Sequence, residues 1–129
     1  MEQRMRVSTG SPWEPVVGYC RAIRVGSLVE VAGTTSMKDG KVVFKGDPYN
    51  QTRYILEIID QALQEVGAAM EDVIRTRMYV TNITQWEEIG RAHGEWFKDI
   101  RPVATMVEVK ALIDPELLIE IEVQAVVHE

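Results

Sequence analysis

The sequence predicts an α+β two-layer sandwich. Two segments carry apolar residues at helical spacing, while several others alternate with period two. A tight turn at Gly26-Ser27 joins two of the alternating segments directly. Such a link makes neighbouring strands antiparallel, so the sheet cannot be wholly parallel, and helices set apart from it form the second layer. With 129 residues the chain is expected to form one domain, 1–129.

Tyr19 to Val25 and Leu28 to Thr34 read as strands flanking the Gly26-Ser27 turn. A second turn signal at Lys38-Asp39-Gly40-Lys41 precedes a short extension, Val42-Val43-Phe44, and Gly46-Asp47-Pro48 then breaks the chain. From Tyr49 to Val66 the positions Ile55, Ile58, Ile59, Ala62, Leu63 and Val66 mark one face of a helix, with Gly67 as its stop. Asp72 to Thr81 alternates as a strand. Thr84, followed by Glu87, has the spacing of a capping box. The helix it would open carries Trp86, Ile89, His93, Trp96 and Phe97 on roughly one side, an apolar side to bury. Val103 to Val109 and Leu117 to Val127 read as the last strands, with Asp114-Pro115 closing the loop between them.

Composition narrows the function classes. An apolar fraction of 46% and a charged fraction of 26% are those of an ordinary globular protein. A net charge of -6 and an isoelectric point near 5.0 argue against nucleic acid as a partner, because phosphate binding needs a cationic field. The lone Cys20 cannot form an intrachain disulfide or a cysteine metal site, and it fits a reducing compartment. Neither a signal-peptide apolar core nor a membrane-length apolar run occurs, so a soluble, cytoplasmic protein is expected. His93 and His128 lack metal-ligand spacing, and no phosphate loop or Ser-His-Asp pattern is visible. No cofactor or metal is expected.

Three stretches carry a more specific signal: Gly18-Tyr19-Cys20-Arg21-Ala22, Arg101-Pro102-Val103-Ala104-Thr105-Met106-Val107-Glu108-Val109, and Leu118-Ile119-Glu120-Ile121-Glu122. With Ala32-Gly33-Thr34, Gln51-Thr52-Arg53, Gly67-Ala68 and Asp72-Val73-Ile74-Arg75-Thr76 they form an ordered set from about Val17 to Val127. This set resembles the Rid/YjgF family of small trimeric deaminases. The resemblance implies a chorismate-mutase-like fold, a six-stranded mixed sheet with two helices on one face. It also implies a homotrimer with sheets inward and small-molecule clefts between subunits. The family has been labelled a ribonuclease group as well, an activity that nothing else in this sequence supports.

On that resemblance Glu120 falls on the glutamate that positions water or a proton for imine hydrolysis, Tyr19 on a tyrosine lining the cleft, and Gly33 on a glycine permitting close approach. Each has a simpler reading beside it. Glu120, Glu122 and Gln124 alternate as on any half-wet strand, Tyr19 has strong strand preference, and a bulge also explains a strand glycine. Ala104 stands where the family usually carries an arginine that grips the substrate carboxylate. A methyl cannot replace a planar fork of donors, so 2-imino acid deamination is expected to be weak or absent. Thr105 remains at the Ser/Thr position and can donate to a ligand, while Met106 is expected to pack.

Arg21 and Arg77 are cations where the family usually has other residues. One account pairs them with Glu120 and Glu122 across an inward-facing sheet, which would lower the proton affinity of Glu120. The other makes one of them a substitute ligand anchor. His93 is expected to be a packed imidazole, and Cys20 lacks a nearby base. The expected function is a Rid-like hydrolase or deaminase of a small reactive enamine, imine or related carbonyl compound. The alternative is a noncatalytic trimer that binds or senses a small metabolite.

Overall fold

The computed structural model describes residues 3–128. Its main sheet has six strands: β1 (Arg4–Val7), β2 (Ala22–Val25), β3 (Leu28–Thr34), β6 (Val73–Val80), β7 (Val103–Glu108) and β8 (Ile119–Val126). A small hairpin, β4 (Met37–Lys38) and β5 (Lys41–Val42), branches from it, and two helices, α1 (Pro48–Glu65) and α2 (Trp86–Phe97), complete the fold. The sheet order is β1-β2-β3-β8-β6-β7. Only the β6–β7 pair is parallel among the pairings of this sheet, so the sheet is mixed, as expected.

Both helices lie on one face of the sheet. Alternate strand residues point to them: Val29 and Val31, Thr76, Met78 and Val80, Ile119, Ile121 and Val123 are buried. Ile55, Leu56, Ile59 and Leu63 of α1 and Ile89 and Phe97 of α2 close the core from the other side. The opposite face carries Glu30, Arg75, Arg77, Tyr79, Glu120, Glu122 and Gln124, all half-buried, together with exposed Leu28, Val103, Val107 and Val126. Among the described residues that face has no second layer.

Local chemistry explains the element ends. Asp39 and Gly40 both adopt positive φ, at 53° and 77°, which is the backbone of a tight two-residue hairpin turn. The Asp47 carboxylate caps α1 by accepting from Asn50 N at 3.0 Å. At its other end Arg24 Nη1 donates to Val66 O at 2.8 Å, satisfying a carbonyl that the helix leaves free.

Several boundaries differ from the sequence reading. β1 and a single π-helical turn, Glu14–Gly18, were not anticipated, and the strand expected from Tyr19 starts at Ala22. Thr84 does not cap a helix. Asn82 accepts from Thr84 N and Oγ1 instead, opening a 3-10 turn, Ile83–Gln85, that runs into α2. On α2, Ile89, Ala92 and Phe97 are buried, but Trp86 and Trp96 remain 56% and 36% exposed, so the apolar side is narrower than expected. Met106 packs against the core as anticipated.

Candidate functional site

The site is built around a bulge in β3. Between Val31 and Thr34 the register against β8 shifts, with Thr34 opposite Ile121. Such an irregularity re-aims the backbone at its centre. Gly33 lies in the bulge, and the side chain of Glu120 occupies the space beside it: a Cβ at Gly33 would overlap Glu120 Oε2 and come within 2.8 Å of its Cδ. The close approach permitted by Gly33 is therefore to the glutamate itself.

Arg21 closes the other side. Its side chain is 6% exposed, and Nη1 donates to Gly33 O at 2.6 Å and Thr34 Oγ1 at 3.1 Å. Nη2 faces Glu14 Oε2 at 3.4 Å and the Tyr19 hydroxyl at 3.5 Å. Its guanidinium carbon lies 5.5 Å from the centre of the Tyr19 ring. Glu14, on the π-helical turn, also accepts from Ser8 Oγ at 2.7 Å and Thr9 Oγ1 at 2.8 Å. Burial alone would raise the Glu14 carboxyl, but these hydrogen bonds and the Arg21 charge outweigh it and hold the carboxyl below its ordinary value.

Tyr19, Arg21, Gly33 and Glu120 line one cleft of about 810 Å³, with Glu122, Thr34, the β4–β5 hairpin and part of α1 around it. Burial pushes the Glu120 carboxyl above its ordinary value, the neighbouring Glu122 adds to the rise, and Arg21 partly opposes it. A carboxyl so raised can hold a proton nearer neutrality than an exposed one.

This geometry overturns the expected pairing. Among the described residues Arg21 pairs with Glu14, not with Glu120 or Glu122, and Arg77 makes no ion pair. Arg77 does stand opposite Glu122 in the ladder, but Tyr79, one pair further along, donates its hydroxyl to Glu122 Oε1 at 2.6 Å. The proton affinity of Glu120 is consequently raised, where pairing would have lowered it. The Nη1 and Nη2 donors of Arg21 already face partners in the chain.

Thr105 and Arg77 do not line the cleft. They stand side by side in the β6–β7 ladder at the far edge of the sheet. Ala104 pairs with Thr76 and shares its helix-facing side. Thr76 Oγ1 is hydrogen-bonded to His93 Nε2 at 2.9 Å, and the imidazole packs 4.6 Å from the Phe97 ring, the packed role expected of it. Burial holds His93 below its ordinary value.

Two positioning residues were not recognised from sequence. Glu14 gives no local signal, because its partners are Ser8, Thr9 and the more distant Arg21. Gln51, seen only as part of a motif, is fully buried and ties down the segment ahead of β8. Its amide donates to Phe44 O and Glu116 O at 3.2 and 3.0 Å and accepts from Leu118 N at 2.9 Å. It thereby fixes the chain two residues before Glu120.

The family described as endoribonuclease L-PSP matches residues 9–127. The chain belongs to this family, the Rid/YjgF proteins. A crystal structure from Mycobacterium tuberculosis, of a member of the YjgF/YER057c/UK114 family, is 51% identical and superposes with a TM-score of 0.89 over 97% of this chain and 100% of that one. An uncharacterised protein of Streptomyces coelicolor is 42% identical over 120 residues, 93% of this chain and 90% of its own. The 3-aminoacrylate deaminase RutC of Acinetobacter baylyi is 30% identical over 122 residues, covering 94% of this chain and 95% of its own. As a Rid/YjgF protein the chain has the mixed six-stranded sheet and two main helices anticipated for the family. Among its described residues no helix is long and apolar enough to cross a membrane.

Proposed function

We propose that the cleft hydrolyses a small reactive enamine or imine, or a related carbonyl compound, with Glu120 as its acid and base. The observation that carries this reading is a half-buried carboxyl, raised by burial, facing a cleft beside Tyr19. A protonated Glu120 delivers its proton to the enamine carbon or imine nitrogen. The resulting carboxylate takes a proton from the water that adds to the electrophilic carbon, and collapse of the adduct expels ammonia. The Acinetobacter baylyi relative is named for 3-aminoacrylate, an enamine that also bears a carboxylate, which supports the enamine part of this substrate class here.

Carboxylate-bearing 2-imino acids are poor candidates. Ala104 offers no fork, and the donors of Arg21 already face Glu14, Gly33 and Thr34. The same facts favour, as a second reading, a noncatalytic pocket that binds or senses a small metabolite. We also propose a homotrimer, because the sheet face opposite the helices carries exposed Leu28, Val103, Val107 and Val126 without a covering layer. Clefts between its subunits would bring Thr105 of one copy towards Tyr19 and Glu120 of the next, and with a net charge of -6 no nucleic-acid partner is proposed. A cytoplasmic setting suits Cys20, a free thiol.

Ammonia release from an enamine generated in the assay, compared between wild type and Glu120→Gln, tests the catalytic reading. Release that depends on Glu120 supports it. Binding of the compound without release would favour the noncatalytic pocket.

A further inference from the structure

We propose that Arg21 is the positioning residue of this cleft: a buried clasp that joins the π-helical turn to the β3 bulge and shapes the surroundings of Glu120, without itself holding a ligand. The inference rests on the cleft assignment above, but not on turnover. Three separate pieces of chain meet at its guanidinium. Glu14 belongs to the π-helical turn, Gly33 O and Thr34 Oγ1 to the bulge, and the Tyr19 hydroxyl to the segment entering β2. The Thr34 hydroxyl passes the contact on by donating to Ala32 O at 2.8 Å. A planar fork can bridge such partners in fixed directions, which a flexible ammonium cannot.

The clasp reaches Glu120 through Gly33. Arg21 holds the Gly33 carbonyl, and the same residue leaves the recess that the Glu120 side chain fills. Fixing that peptide fixes the wall against which Glu120 packs. Arg21 also adds a positive charge close enough to oppose the rise in Glu120 proton affinity. The other charged or titratable groups around Glu120 are Glu122 on its own strand, Tyr79 across the ladder, Tyr19, and Lys38, Asp39 and Glu57 around the rest of the cleft. Of these Tyr19 touches Arg21 directly, and Glu14 loses its partner when Arg21 is substituted, so the charge effect is read from the comparison of a neutral with a charge-keeping replacement.

The test reads Glu120 directly, by carbon-detected NMR titration of the glutamate carboxyls, with its resonance assigned by loss in Glu120→Gln. Arg21→Gln should raise the Glu120 midpoint, because a nearby cation is removed. Arg21→Lys, which keeps the charge but not the fork, should raise it less than Arg21→Gln. An unchanged midpoint in Arg21→Gln, or equal displacement in both variants, would overturn the proposal. Should Arg21→Gln fail to fold, the wild-type protein supplies the second measurement. A clasped Arg21 should give resolved, slowly exchanging Nη protons that do not move when pyruvate is added as a carboxylate probe. Averaged signals, or signals that shift with pyruvate, would overturn it and make Arg21 an anchor. Absence of any hydrolase activity would sink the proposed reaction while leaving these readings intact.

Discussion

Gly33 and Glu120 fit together because one has no side chain: the carboxylate on β8 lies where a Cβ on β3 would be. The placement of the Glu120 carboxyl thus depends on a residue that has no functional group of its own. Gly33→Ala must displace either the bulge or the carboxylate, and the overpacking should cost about 1–3 kcal/mol in urea denaturation. Glu120→Ala removes the obstacle, so the double variant should recover part of that cost, with a coupling of about 0.5–3 kcal/mol. Strict additivity would show that the two side chains do not compete for this space.

Glu14 and Arg21 form a buried ion pair with side chains 3% and 6% exposed. Removing one partner leaves the other buried and uncompensated, so Glu14→Ala should destabilise the protein by roughly 3–5 kcal/mol. A loss below about 1 kcal/mol by chemical denaturation would indicate that water reaches the pair and screens it.

His93 gives stability a pH dependence. Its folded-state value lies below the ordinary 6.5, so the unfolded chain binds the proton more readily. The His93 contribution is fully present above 6.5 and is lost as pH falls from there through the folded value. Glu14, also lowered, contributes above its ordinary 4.5 and is lost below it, whereas the raised Glu120 acts in the opposite sense. His93→Gln keeps a hydrogen-bonding group near Thr76 but does not titrate. It should flatten the decline just below pH 6.5, as measured by urea midpoints at successive pH values. An unchanged slope would assign that decline to other groups.

Hydrolysis of 2-iminobutyrate should be slow. The lack of a charge-assisted bidentate contact at Ala104 costs on the order of 2–5 kcal/mol in transition-state binding, more than a tenfold rate difference. Ala104 is exposed on β7, so Ala104→Arg can be accommodated, and the variant should gain activity towards this acid. Wild-type turnover equal to that of an arginine-bearing relative would mean that another group holds the carboxylate.

Sedimentation at micromolar concentration should give three copies per particle. The uncovered sheet face mixes apolar and charged groups, and β7 is an exposed edge strand, a feature that proteins normally cover. A monomer would require both to stand in water.

Much of this fold is legible in the sequence. The spacing of Ile55, Ile59, Ala62 and Leu63 marks α1, and the alternation from Ile119 to Ala125 marks β8 with Glu120 on its wetter face. What escapes depends on partners remote in sequence. Arg4–Val7 is short and strongly basic, and it becomes a strand only by pairing with β2. The Glu14–Gly18 turn contains Pro15 and Gly18 and shows no periodicity, yet it supplies the partner of Arg21. Alternation placed Arg77 and Glu122 on one face correctly, but it could not tell that the Tyr79 phenol would reach Glu122 instead. Ahead of α2, Asn82 caps the preceding 3-10 turn, where the spacing of Thr84 and Glu87 had suggested a cap by Thr84.

The irregularity between Val31 and Thr34 would make the proposed chemistry more fragile than the architecture. A sheet tolerates a regular strand in place of a bulged one, because its ladder then simply continues. A single-codon deletion at Ala32 would restore that regularity, leaving two steps of β3 against two of β8 with Thr34 still opposite Ile121. The recess for Glu120 would disappear while the core residues of β8 kept their neighbours. One lost codon would thus remove the proposed chemistry from a still folded scaffold, so descendants could abandon such a reaction without abandoning the fold.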